Sequence, residues 1–264
     1  SYILNQLAAA TRTATQHGFE TSPSVQACTK GIWMWGAPRS LPPATDARSL
    51  DPNEPRHLVL LDTEGLQSIS QTEGHDAKIF CLAILLSSFF IYNSESKINS
   101  AAIDQLSMVL QLARKIRLSG KSRASTEELS KVFPQFLWLL RDFQLDLVDE
   151  SGQAISTDRY LEDCLRPQTG GTHAVREQNE TRRAISSLFA SRSCLALPHP
   201  TLGTQLPQDA LRNLPPLEQL APRFRQGVVE LKRRVLQGPA LKVDGTVANG
   251  SMLLHLAESY CKAM

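Results

Sequence analysis

Asp62, Thr63, Glu64 and Gly65 close the apolar run Leu58-Val59-Leu60-Leu61. A buried strand that delivers a carboxylate and then a glycine to its carboxyl end suits a metal-bound triphosphate. The Asp62 carboxylate can hold Mg²⁺ through water, and the Gly65 N–H can meet the terminal phosphate. A strand ending in an Asp turn is common, so the neighbouring residues decide. Thr29 precedes a second strand-like run, Ile32-Trp33-Met34-Trp35. There it is either a plain strand-edge residue or a loop hydroxyl that closes over Mg²⁺ when a triphosphate binds. Ser1 opens a helical pattern. It reads as the end of a frayed amphipathic helix, or as the last residue of a G-x-x-x-x-G-K-[ST] loop whose glycines and lysine would stand upstream. Arg141-Asp142 follow Phe136-Leu137-Trp138-Leu139-Leu140. A charged pair there is a solvated turn, or lies where open α/β sheets bind ligands.

Composition bounds these readings. The 264 residues are 42% hydrophobic and 20% charged, enough for a sizeable core. A net charge of +2 excludes a nucleic-acid binder that relies on bulk charge. The five cysteines (Cys28, Cys81, Cys164, Cys194 and Cys261) form no CxxC pair, so neither a zinc site nor a disulfide framework is expected. Thiols in a reducing compartment fit that scatter, and no signal-peptide pattern stands in the sequence, so the expected compartment is the cytoplasm. The longest apolar run, Ile79 to Tyr92, is too short to span a bilayer. Membrane contact is expected only through regions outside this chain. With no initiator Met before Ser1, the sequence reads as a fragment of a longer chain.

The elements that must position these residues alternate. Ile3, Leu4, Leu7 and Ala8 recur at helical spacing. In the run 32–35, alternation puts Trp33 and Trp35 on one face, in the core or at an interface, and Ile32 and Met34 on the other. The Pro-, Asp- and Ser-rich stretch 39–56 reads as an exposed insertion without chemistry. A helix is expected over 75–86, a buried strand over 87–93 and a long amphipathic helix over 98–118. Strand 136–140, helices 157–165 and 176–190, and a short strand 194–197 follow. The proline-rich 198–216 is a surface connection, 222–236 a basic amphipathic helix, and 247–264 the start of another helical region. Strands alternating with helices predict an α/β domain with a mostly parallel sheet.

These pieces together resemble the large GTPase domain of the guanylate-binding protein family, in the dynamin superfamily. The matching residues are Ser1 to Asn5, Thr29-Lys30-Gly31-Ile32-Trp33-Met34-Trp35, Leu60 to Leu66, Leu85 to Ser88, Tyr92-Asn93-Ser94, Ile98-Asn99, Asp104-Gln105-Leu106 and Trp138 to Leu147. Trp-Met-Trp and Arg-Asp-Phe-x-Leu-Asp-Leu are the specific signals. The resemblance implies a P-loop NTPase-like central sheet flanked by helices, a G domain over 1–246 and a helical region from 247. It implies Ser1, Tyr2, Thr29, Asp62, Gly65, Arg141 and Asp142 at the nucleotide, with Ser1, Thr29 and Asp62 holding Mg²⁺. Thr29 and Glu64 would be catalytic, Glu64 organising the attacking water. Arg141-Asp142 would replace the usual Asn-Lys-x-Asp guanine motif, and a carboxylate accepts well from guanine N1–H and N2–H₂ together. Implied partners are GTP or GDP and a second copy across the nucleotide face.

Three departures from the family pattern matter. The phosphate-loop glycines, lysine and cis arginine are not in the chain. Ala27 stands where well-studied members carry a catalytic serine, which bears on hydrolysis rate. Pro198-His199 replaces an acidic-basic pair, which bears on base capping and dimer contacts. Two rivals follow: an interaction module gated by nucleotide without useful hydrolysis, favoured by Ala27, and an atlastin-like membrane-remodelling GTPase, disfavoured by Glu64.

Overall fold

The computed structural model describes residues 2–8, 19, 29, 31–41, 56–65, 73–107, 133–206, 215–243 and 245–263. Its centre is β6 (Gln135–Arg141), whose residues Phe136 to Leu140 are each 0% exposed. Side chains alternate across a strand, so five buried residues in a row require cover on both faces. β5 (Phe89–Glu95) and β7 (Arg192–Ala196) flank β6 in parallel, with Tyr92 opposite Trp138 and Trp138 opposite Cys194.

Each face of β6 feeds its own core. Phe136, Trp138 and Leu140 pack with Phe80 and Ile84 of α2 (Glu73–Leu85), Ile103 of α3 (Ser100–Gln105), Leu161 of α4 (Thr157–Leu165) and Ile185 of α5 (His173–Leu188). Leu137 and Leu139 pack with Leu7 of α1 (Tyr2–Ala8) and with Phe224, Val228 and Leu231 of α6 (Pro222–Leu236). Burying one such side chain stabilises by roughly 1.5–3 kcal/mol, so this strand anchors the domain. Polar residues stop and start the helices around it. Asn99, Ser156 and Thr172 accept from the first-turn N–H groups of α3, α4 and α5, and Pro222 opens α6 where its missing N–H is harmless. The outer edge of β7 is blunted by side chains: Cys194 N–H donates to Asp158 Oδ1 at 2.7 Å, and Thr157 Oγ1 donates to Cys194 O at 2.8 Å.

Four short strands precede this sheet. β1 (Ile32–Met34) pairs antiparallel with β4 (Leu61–Thr63), and β2 (Arg39–Leu41) with β3 (Arg56–Leu58). Two expectations are corrected here. The ends of the supposed insertion 39–56 are paired strands, because Arg39-Ser40-Leu41 and Arg56-His57-Leu58 complete each other's backbone hydrogen bonds. Trp33 and Trp35 do not share a face: Trp33 is 51% and Met34 55% exposed, whereas Trp35 is buried. β1 ends at Met34; Trp35 N–H then donates to Leu60 O at 2.9 Å, and its ring meets Phe19 edge-on at 5.3 Å.

The expected helix over 98–118 closes at Gln105 with a Leu106 cap, and positions 108–118 lie outside the described residues. A hairpin, β8 (Lys242–Val243) with β9 (Thr246–Val247), turns at Gly245, whose φ of 81° favours glycine. That hairpin straddles the expected boundary at 246/247. α7 (Gly250–Ala263) follows and touches α2. Among the described residues no helix is long and apolar enough to cross a membrane.

Candidate functional site

The acidic end of β4 is held from three sides. Its pairing with β1 places Asp62 opposite Trp33. Glu64 N–H donates to Gly31 O at 3.0 Å, extending the pairing past the strand. Upstream, Asn5 of α1 makes a double hydrogen bond to the Phe19 backbone (2.8 and 2.7 Å), Phe19 supports Trp35, and Trp35 bonds to Leu60. Asn5 thus reaches the site through packing, a role invisible to helical periodicity.

Thr29, Asp62, Glu64 and Gly65 line one cleft of about 1440 Å³, with Asn93 from β5. A pocket for a small ligand occupies about 300–1,000 Å³, so this cleft is roomier than most such pockets. Asp62 and Glu64 are buried polar residues, 6% and 5% exposed. Thr29 Oγ1 donates to Asp62 Oδ2 at 2.8 Å, which puts a hydroxyl and a carboxylate side by side as hard oxygen donors of the kind a divalent cation takes. Glu64 Oε1 accepts from His75 Nε2 at 2.5 Å. No described atom lies within 4 Å of a Cβ built on Gly65, so packing among the described residues leaves space beside that backbone.

Arg141 and Asp142 lie at the carboxyl end of β6 and are not among the residues lining that cleft. They are joined to it through Asn93, whose Oδ1 accepts from Arg141 Nε at 2.9 Å. Asp142 has φ 54° and Ser96, after β5, φ 62°, both in the left-handed region that non-glycine residues enter rarely. Ser96 N–H donates to Arg141 O at 2.7 Å, and Phe143 N–H to Leu197 O at 3.0 Å, so the turn is over-determined on both sides of Asp142. The Asp142 side chain is half-buried. Tyr2 is not among the residues lining that cleft; its ring packs on the second core, its hydroxyl is buried with no hydrogen-bond partner among the described residues, and burial pushes the phenol pKa up. Ser1 and Ala27 lie outside the described residues. His75 escaped sequence reasoning, because its contact with Glu64 joins a strand end to a helix start and carries no periodic signal.

A parallel sheet with helices on both faces, and oxygen donors gathered at a strand end, is a P-loop NTPase-like α/β arrangement. The sequence model of the guanylate-binding protein N-terminal domain matches residues 1–243, and the chain belongs to that family. Among curated relatives, the whole chain aligns at 35% identity with guanylate-binding protein 7 of Mus musculus and with guanylate-binding protein 5 of Homo sapiens, covering 40% and 43% of their lengths. It aligns at 36% with guanylate-binding protein 1 of Chlorocebus aethiops, covering 42%. The chain therefore spans about two-fifths of the relatives it matches.

Proposed function

We propose that this chain is the GTP-binding and GTP-hydrolysing domain of a protein that self-associates when nucleotide is bound. The observation that carries the reading is the Thr29–Asp62 pair beside Glu64 and Gly65 in one cleft. The donor set fits Mg²⁺. Among the described residues no group of three His, Cys, Asp or Glu gathers, and Mg²⁺ beside a triphosphate needs only one or two carboxylates with hydroxyl, water and phosphate oxygens. Thr29 and Asp62, with Ser1, would hold it. Bound there, Mg²⁺ supplies charge that offsets the negative charge of the transferring phosphoryl group.

The protein's own part is positioning. Gly65 N–H donates to a γ-phosphate oxygen. Glu64 orients a water in line with the γ-phosphorus; the new O–P bond forms as the bond to the β-phosphate oxygen breaks, GDP leaves with the electron pair, and the water's proton ends on the released phosphate. Asp142 accepts from guanine N1–H and N2–H₂, with Arg141 behind it. Exposed Trp33 and Met34, on the strand paired with Asp62, support a contact surface beside this site.

Base choice tests the reading. Asp142→Asn turns one acceptor into a donor, which mismatches guanine N2–H₂ and matches the oxygen at position 2 of xanthine. Each unmade buried hydrogen bond costs about 1–3 kcal/mol, so preference should swing from GTP toward XTP by roughly 10²-fold. Competition of GTP, ATP and XTP against one labelled analogue, on the full-length polypeptide, measures it. A mutant that still prefers GTP removes Asp142 from base reading.

A further inference from the structure

We infer that His75 is a positioning residue for Glu64, an assignment that rests on Glu64 organising the attacking water. Three observations carry it. The Glu64 side chain is 3% exposed, and a carboxylate that deep requires a hydrogen-bond donor. His75 Nε2 lies 2.5 Å from Oε1 and supplies one in the tautomer that carries its proton on that nitrogen. The backbone of Glu64 is fixed independently by its N–H bond to Gly31 O, which leaves rotation of the side chain as the freedom His75 removes. With Oε1 held, the second carboxylate oxygen has one direction in which to accept from a water. His75 stands in the first turn of α2, and its side chain is 39% exposed, so the same bond ties the start of that helix to the catalytic strand.

A displacement of about 1 Å at a catalytic group costs as much as 10²-fold in rate. His75→Ala should therefore lower kcat for GTP by between about 10-fold and 10²-fold, with KM and the affinity for GTP unchanged. His75→Gln presents an amide N–H near the position of Nε2 and should recover most of the rate. If His75 acts through Glu64, adding His75→Ala to Glu64→Gln should cost nothing further, because groups working as one unit are not additive. The experiment is steady-state and single-turnover hydrolysis by the full-length polypeptide carrying each variant and the double variant. A kcat loss that Gln recovers and that vanishes in the Glu64→Gln background supports the inference. Wild-type kcat in His75→Ala while Glu64→Gln is impaired overturns it, as do losses that multiply in the double variant. Wild-type kcat in Glu64→Gln overturns instead the role given to Glu64, and the inference falls with it.

Discussion

Asp62 and Thr29 sit 33 positions apart in the chain yet within hydrogen-bond distance, and taken alone each is an ambiguous signal. A carboxylate at the end of an apolar run and a hydroxyl ahead of a strand are local patterns. What joins them is the β1–β4 register, which a sequence read in windows does not contain. The same holds for Asn93 beneath Arg141 and for the left-handed backbone at Asp142, set by bonds to residues 46 and 55 positions away through Ser96 and Leu197. Ala27 gives a residue-scale test. If a serine hydroxyl there normally relays the water's proton, Ala27→Ser should raise the single-turnover rate by about 10²–10³ with little change in GTP affinity. An unchanged or slower rate would place the relay elsewhere.

At the scale of elements, long and short elements differed in legibility for a physical reason. Helices 157–165 and 222–236 stand where periodicity placed them, since each carries an apolar stripe against a buried sheet. β2, β3, β8 and β9 are two or three residues long, and nothing in so short a stretch records a period. β6 is the element on which the fold depends. Leu139→Ala should destabilise by about 2–5 kcal/mol in urea unfolding, since its fully buried side chain leaves a cavity in the core between α1 and α6. A loss below about 1 kcal/mol would show that this face repacks. α6 offers a pH test. Its Glu230 bonds to Arg233 and Arg234, which hold the carboxyl pKa down at about 2 against an ordinary 4.5. A depressed folded pKa stabilises above pH 4.5, and that contribution fades as pH falls toward about 2. Glu230 is 34% exposed, so solvent screening keeps the effect small. Glu230→Gln should melt slightly below wild type near neutrality and level with it at the acid end; a constant gap in Tm would contradict the linkage.

For the whole molecule, the proposed function would need two regions to act together: the antiparallel pair that holds Asp62 and the parallel sheet that holds Asp142. Beside the first, Trp33 is 51% and Met34 55% exposed, which is where the proposed self-association would find apolar surface. Light scattering of the full-length polypeptide with a non-hydrolysable GTP analogue and Mg²⁺ should show a doubled mass. Trp33→Ser should reduce that association without changing nucleotide affinity; an unaffected assembly would move the contact elsewhere. The most direct test of the account is phosphate release in a single turnover, with GTP and ATP compared on the full-length polypeptide in Mg²⁺ and in EDTA, for wild type and Asp62→Ala. The account predicts phosphate from GTP and not from ATP, lost in EDTA and in the variant. Equal release from ATP, or GTP bound tightly with no phosphate released, would contradict it.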